Sequence, residues 1–272
     1  MKWGIIVKPN DEKARKIARE LHKFLSKKKE NIYFEKRSAE ELDIKESFTL
    51  KELNESVDIA VTVGGDGTIL FALREIEKPV FAINSSAVGF LTEADGKTAK
   101  SGLEQILKGE YNIVERAKLK VVMDGKRLPD AANEITLQTA NIAKMIEFDV
   151  LVDEEIIESM EADGIIIATP TGATGYALSV GGPIVDPEIQ GAVIAPIAPF
   201  KLSARPWIVP YRKKICVELT KDSKEAKLVI DGRDYISVSP GKKVCVTASE
   251  EKARFVRFGE SFYQAVRLKL VR

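Results

Sequence analysis

The sequence predicts an α/β fold joined to an all-β one: an N-terminal Rossmann-like domain with a parallel sheet, then a C-terminal β-sandwich-like domain. Three observations predict this. Strand-like and helix-like runs alternate up to about Tyr111, and helical periodicity nearly vanishes after it. The β-branched run Ile59 to Val63 ends in Gly64-Gly65-Asp66-Gly67-Thr68 and opens into the apolar segment Ile69-Leu-Phe-Ala-Leu73. That is the strand-to-helix junction of an α/β unit, where ligands bind beyond the carboxyl ends of the strands.

In order, Trp3 to Val7 reads as a strand and Asp11 to Lys29 as a helix. Ile32 to Glu35 and Ile59 to Val63 read as strands, a helix follows the glycines, and Val80 to Ile83 is a further strand. Later runs are strand-like: Leu119 to Met123, Glu134 to Gln138, Met145 to Val152, Gly164 to Ala168, Ile215 to Leu219, Lys227 to Ile230 and Lys243 to Thr247. Turns fall at Asp124-Gly125, Asp231-Gly232 and Pro240-Gly241, dipeptides that favour tight connections. Phe262 to Val271 closes the chain as a strand or short helix. The expected domains are 1–110 and 111–255, with 256–272 packing back on the first.

At 272 residues, 44% hydrophobic and 31% charged, the chain has ample material for a core and is not a disordered one. A net charge of +1 gives no support for a broad nucleic-acid or membrane surface, so any anion site must be local. The apolar start Met1 to Lys8 is too short for a signal peptide, no later run approaches a membrane span, and the cytoplasm is the expected compartment. Cys216 and Cys245 each lie in a strand-like run and read as reduced core residues. The single histidine, His22, reads as part of a solvated helix face. A histidine triad and a histidine-rich metal site are therefore excluded, and a base must be a carboxylate, Lys, Tyr or Cys.

Paired glycines between a strand and a helix let backbone N–H groups approach a phosphate closely. A carboxylate beside phosphates repels them, so Asp66 points to a group that takes a proton or holds a metal, as phosphoryl transfer requires. The bland reading is a tight turn in which Asp66 caps the helix. A second cluster is the charge-poor stretch Asp163 to Pro183, where an apolar strand runs into a loop of Gly, Thr, Ser and Tyr. Hydroxyls, backbone donors and one aromatic face suit a nucleotide, whereas a long surface loop is the bland alternative.

In these motifs the chain resembles the NAD kinases over nearly its whole length. Gly-Gly-Asp-Gly-Thr stands at 64–68. The family's Asn-x-Gly-x-Leu-Gly-Phe-Leu looks like Asn84 to Leu91, and its Asn-Glu pair stands at Asn133-Glu134. Its Thr-Pro-Thr-Gly-Ser-Thr-Ala-Tyr loop looks like Thr169 to Tyr176, with Ser179 and Gly181-Gly182-Pro183 following, and its Pro-rich segment is similar to Ile194 to Pro206. Gly-Gly-Asp-Gly alone is shared with phosphofructokinases and lipid kinases; the ordered set is highly specific.

The resemblance implies an active site in the cleft between the two domains. It implies transfer of the terminal phosphoryl of ATP, or polyphosphate, to the 2′-hydroxyl of the adenosine ribose of NAD, giving NADP. Asp66 would accept the proton, with Gly67 beside it. Asn133 and Glu134 would hold the ribose and phosphate region, a carboxylate being suited to a diol. Asp163, Thr171, Thr174, Gly175, Tyr176 and Ser179 would grip the nicotinamide and adenine parts, and Phe90 and Leu91 would line the pocket. Lys144, Lys201 and Arg205 are candidate phosphate partners. Mg²⁺ or another divalent cation would come with ATP, with no metal ligands expected from the protein. The resemblance also implies a homo-oligomer, dimer or tetramer.

The sequence departs from the family at Ser86, where Gly is usual and a strongly positive φ is therefore excluded unless strained. Ala173 and Gly175 replace Ser and Ala, and Phe200-Lys201 replaces a common His-Ser pair. These bear on donor preference and on NAD-versus-NADH selectivity. Two other readings compete: a lipid or other alcohol kinase sharing only the Gly-Gly-Asp-Gly-Thr architecture, and a nucleotide sensor without catalysis, against which the intact Asp66 argues.

Overall fold

The computed structural model describes residues 1–86, 89–259 and 262–270. The chain divides into two units, Met1–Glu115 with Ala253–Arg272, and Arg116–Lys252. In the first, β1 (Lys2–Val7), α1 (Glu12–Lys27), β2 (Asn31–Phe34), α2 (Lys36–Leu42), α3 (Leu50–Ser56) and β3 (Ile59–Gly64) follow one another. Then come α4 (Asp66–Ala72), β4 (Val80–Asn84), β5 (Ala94–Asp95) and α5 (Ala99–Lys108). The strands lie in the order β2-β1-β3-β4 and are all parallel, with β5 parallel beside β4. β3 and β4 are buried at every residue, as expected of strands covered on both faces.

Asp11 caps α1 by accepting from the Ala14 N–H, and Ala14, Ala18, Leu21 and Leu25 form its buried stripe. That stripe joins Trp3, Ile5, Phe34, Val61 and Phe81 in one apolar core. Three helices lie where the sequence gives no assignment. α2 and α3 are too short to show a period, although Thr49 and Glu52 form a reciprocal capping box at the start of α3. α5 carries Gly102 in its interior because a Cβ there would lie 2.5 Å from the Phe81 ring.

β6 (Asn112–Met123) leads into the second unit, followed by β7 (Lys126–Arg127), β8 (Glu134–Thr139), β9 (Ile146–Val152) and β10 (Glu155–Ala168). After the short α6 (Tyr176–Ser179) come β11 (Gly191–Pro199), β12 (Trp207–Pro210), β13 (Ile215–Leu219), β14 (Ala226–Ile230), β15 (Arg233–Val238) and β16 (Lys243–Arg257). The order β15-β14-β8-β10-β9-β13-β16 is antiparallel throughout. β10 pairs with β9 along its first half, and along its second half lies between β8 and β11. This switch of partners produces the layered β core, with Ile135, Leu137 and Ile165 packed into the same cluster as Phe148, Val217 and Val244.

Several elements run beyond the sequence expectation. β10 starts at Glu155, since its first half alternates exposed and buried residues less cleanly than the apolar second half. The start of the Pro-rich segment is strand β11, paired on both edges. The chain closes on a helix, α7 (Phe262–Leu270), within the first unit; Val271 lies outside the described residues. Asp124-Gly125 and Asp231-Gly232 both have positive φ at each residue, the geometry of a two-residue hairpin turn.

Two readings are corrected. Cys216 and Cys245 are directly opposed on β13 and β16 and form a disulfide, not a pair of free thiols. Register across the sheet, invisible over a separation of 29 residues, brings them together. His22 is half-buried, its ring edge-on to Phe34 at 5.1 Å, so the helix face it occupies is partly covered. Among the described residues, no helix is long and apolar enough to cross a membrane.

Candidate functional site

Two clusters of polar residues lie at strand ends, one in each unit. In the first unit β3 ends at Gly64, where a Cβ would meet Thr68 Oγ1 at 2.3 Å and Lys8 Cβ at 2.8 Å. Asp66 then starts α4, and its carboxylate accepts from the backbone N–H groups of Phe90 (3.1 Å) and Leu91 (3.3 Å). The turn-and-cap reading is thereby replaced: the Asp66 side chain is directed at another loop, and α4 has no side-chain cap. Gly89 is required for this approach, since its Cβ would lie 2.1 Å from Asp66 Oδ1. Gly67, beside Asp66, is exposed with open space around it.

The loop that holds Asp66 is itself anchored. Arg257 pairs with the Glu93 carboxylate at 2.8 Å and donates to the Leu91 carbonyl at 3.2 Å. The Lys269 ammonium on α7 bonds the Gly89 carbonyl and lies 4.9 Å from the centre of the Phe90 ring. Leu91 is buried and Phe90 half-buried. Of the Asn84 to Leu91 motif, Ala87 and Val88 lie outside the described residues. Ser86 does not take a positive φ; its N–H bonds Asn84 Oδ1 at 2.8 Å, a local turn that needs no glycine.

In the second unit Asn133 and Glu134 enter β8. Their backbone is fixed on both sides. Thr169 N–H donates to the Asn133 carbonyl at 2.7 Å, and Thr169 Oγ1 donates to the Ala132 carbonyl at 2.8 Å. Gly172 lies so close that a Cβ would be 2.2 Å from the Asn133 carbonyl oxygen. On the other side the Asp231 carboxylate accepts from the N–H groups of Ala132 (2.8 Å), Asn133 (2.8 Å) and Glu134 (3.1 Å). Asn133 Oδ1 and Glu134 Oε2 are buried without a hydrogen-bond partner among the described residues. Buried acceptors of this kind are open to donors from a bound molecule.

Burial, with the Asp231 charge second, pushes the Glu134 carboxyl up to about 7. Burial also raises Asp231, against the three N–H groups and Lys118, which pull it back down.

The rest of the predicted set is unevenly placed. Gly175 lies against the pair, with a Cβ position 3.5 Å from Glu134 Oε2 and 3.8 Å from Asn133 Nδ2. Thr174 Oγ1 donates to the Thr171 carbonyl at 3.2 Å within the same turn. Tyr176 and Ser179 are on α6, Tyr176 exposed and Ser179 toward solvent, and Asp163 is half-buried on β10. Lys144 is exposed in the turn before β9, away from the entry to β8. Lys201 is engaged by Glu158, and the Arg205 guanidinium by the Leu202 and Ala204 carbonyls of its own loop.

Comparison with known proteins decides the family. The ATP-NAD kinase N-terminal domain matches residues 3–111 and the ATP-NAD kinase C-terminal domain matches 132–258. The NAD kinase of Methanothermobacter thermautotrophicus is 41% identical, covering 100% of this chain and 96% of its own. The chain belongs to the NAD kinase family. The NAD kinase of Thermococcus kodakarensis is 37% identical over 99% of both chains. Yeast NADH kinase complexed with NADH superposes with a TM-score of 0.91 at 26% identity, covering 99% of this chain and 87% of that one. The NAD kinase of Archaeoglobus fulgidus in complex with ATP gives 0.81 at 28% identity, covering 98% and 99%.

This NAD kinase is a phosphotransferase acting on NAD, and the matches leave the lipid- or other-alcohol-kinase reading without support. Three features of its site go beyond what the sequence assigns. Asp231 is legible there only as a turn residue, and Arg257 and Lys269 only as basic residues of the C-terminal segment. The available signal is the Asp-Gly dipeptide, which fixes the turn and not the direction of the aspartate side chain.

Proposed function

We propose that the enzyme transfers the terminal phosphoryl group of ATP to the 2′-hydroxyl of the adenosine ribose of NAD, giving NADP. The observation that carries this reading is the pair of orphaned buried oxygens, Asn133 Oδ1 and Glu134 Oε2. A ribose diol offers the two O–H donors that a carboxylate with a free oxygen accepts. Asp66 is the base: the 2′-oxygen attacks the terminal phosphorus, the bond to the bridging oxygen breaks, and the hydroxyl proton goes to the Asp66 carboxylate. The Phe90 and Leu91 N–H groups hold that carboxylate in one orientation, which limits the reorganisation needed when the alcohol arrives.

Asp163, Thr171, Thr174, Gly175, Tyr176 and Ser179 belong to the nucleotide-gripping loop and its strand, with Phe90, Leu91 and Gly67 near the base. Lys144 remains a candidate phosphate partner because it is an exposed cation. Mg²⁺ or another divalent cation fits as the companion of the donor's phosphates, whose charge it offsets. Among the described residues no three His, Cys, Asp or Glu side chains are placed to hold a metal. The ATP complex of the Archaeoglobus fulgidus relative supports ATP as donor, with polyphosphate as the competing one. We place the enzyme in the cytoplasm, with its substrates, as a homo-oligomer (dimer or tetramer) that uses neither nucleic acid nor membrane as a partner.

The test is ³¹P NMR of the product formed from NAD⁺, ATP and Mg²⁺. A 2′-phosphomonoester resonance identical to NADP⁺ is expected. Product only with polyphosphate would reassign the donor, and a phosphate on any other hydroxyl would overturn the proposed role of the Asn133–Glu134 pair.

A further inference from the structure

The structure assigns a positioning role to Asp231: we infer that its carboxylate, bonded to three successive backbone N–H groups, sets the Asn133–Glu134 pair in the orientation that receives the NAD ribose. This rests on the reading of Asn133 and Glu134 as the diol-binding pair.

The geometry is unusual for a hairpin turn. Asp231 and Gly232 form the turn between β14 and β15 with φ of 47° and 70°. An aspartate at such a turn ordinarily faces solvent or caps its own turn. Here it is only 8% exposed, and its side chain reaches back across the ladder to Ala132, Asn133 and Glu134. The Asp231 N–H also donates to the Glu134 carbonyl at 3.0 Å, so both the main chain and the side chain of one residue hold the entry to β8.

Three consecutive N–H groups converging on one point make an anion-binding concavity. In this unit the anion is the protein's own. Thr169 fixes the carbonyls of Ala132 and Asn133 from the opposite side. The segment is thus clamped through its N–H groups by Asp231 and through its C=O groups by Thr169, while two of its side-chain oxygens stay unpaired. Backbone interactions are complete and side-chain ones are open, which is the arrangement of a preorganised binding pair.

A second carboxylate beside Glu134 is costly unless it contributes something. Glu134 on β8 faces Asp231, and the buried Lys118 on β6, itself paired with Glu251 at 3.3 Å, favours the charge on Asp231 from a distance. An asparagine or serine in its place offers a single acceptor oxygen, so it matches at most part of a set of N–H groups that here divides between both carboxylate oxygens. A fixed anion among the N–H groups instead keeps them from turning toward substrate oxygens and directs Glu134 Oε2 to the diol.

The test is a double-mutant cycle on NAD affinity, measured by titration calorimetry on the full chain with wild type, Asp231→Asn, Glu134→Gln and the double variant. Asp231→Asn is expected to weaken NAD at least about tenfold, the scale of a lost charge-assisted bond. The KM for ATP is expected to stay within about threefold. In the Glu134→Gln background the same change is expected to cost less than about twofold more, because the group it orients is already disabled. Equal costs in both backgrounds, or a matching rise in the KM for ATP, would overturn the positioning role and leave the diol reading intact. Unchanged NAD affinity in Glu134→Gln alone would overturn the diol reading and the inference with it. If Asp231→Asn does not fold, Asp231→Ser, whose hydroxyl accepts from one of the N–H groups, enters the same cycle with the same criteria.

Discussion

Replacing Glu134 by glutamine tests the electrostatics of the site through stability as well as binding. The Glu134 carboxyl is raised from the ordinary 4.5 to about 7 in the folded protein, first by burial and then by Asp231. A carboxyl raised in this way binds its proton more tightly when folded than when unfolded. Its contribution to stability is complete below about 4.5 and is lost as pH rises through about 7. At about 1.4 kcal/mol per pH unit, the gap corresponds to about 3 kcal/mol lost by pH 8. The glutamine of the variant does not titrate, so the stability difference between variant and wild type should shift in the variant's favour by about that amount between pH 5 and pH 8. At roughly 2–4 °C per kcal/mol, the relative midpoint should move by roughly 5–10 °C. The assay is calorimetric unfolding of the ligand-free proteins at several pH values. Carboxylates with lowered values, such as Asp11, Glu30 and Asp95, are common to both proteins and cancel. A pH-independent difference would refute the claim that Glu134 is buried, unpaired and raised.

Two further outcomes follow from the same geometry. If the NAD ribose donates to an ionised Glu134, affinity for NAD should tighten about tenfold from pH 6 to pH 8 and release a proton on binding, whereas the Glu134→Gln variant should bind with a flat profile; a flat wild-type profile contradicts this. Gly89→Ala would place a Cβ 2.1 Å from Asp66 Oδ1 and displace the carboxylate, so turnover should fall at least about tenfold, and a kcat within about twofold of wild type would show that Asp66 is not held there during catalysis.

Legibility of the fold tracks the length and regularity of each element. Buried strands β1, β3 and β4 announce themselves as β-branched runs, and α1 by its cap and apolar spacing. The short helices α2 and α3 carry too few turns to show a period. β10 is legible only along its apolar half, because the half that pairs with β9 has mixed exposure. At the site, Asp66 and the Asn133–Glu134 pair stand out because their chemistry is unusual for their position. Asp231, Arg257 and the Cys216–Cys245 link do not, since each acts through contacts distant in sequence that only the folded arrangement of strands and loops creates.

In the proposed reaction Asp66 is the base that takes the 2′-hydroxyl proton. The most direct test is Asp66→Asn, comparing kcat for NADP⁺ formation with the dissociation constant for NAD⁺. Asparagine keeps the size of the side chain and an oxygen for one of the Phe90 and Leu91 N–H groups, while losing the proton acceptor. A fall in kcat of at least about a hundredfold with NAD⁺ affinity within about threefold is the expected result. Unchanged turnover would remove Asp66 from catalysis, and a parallel loss of NAD⁺ binding would make it a binding residue instead.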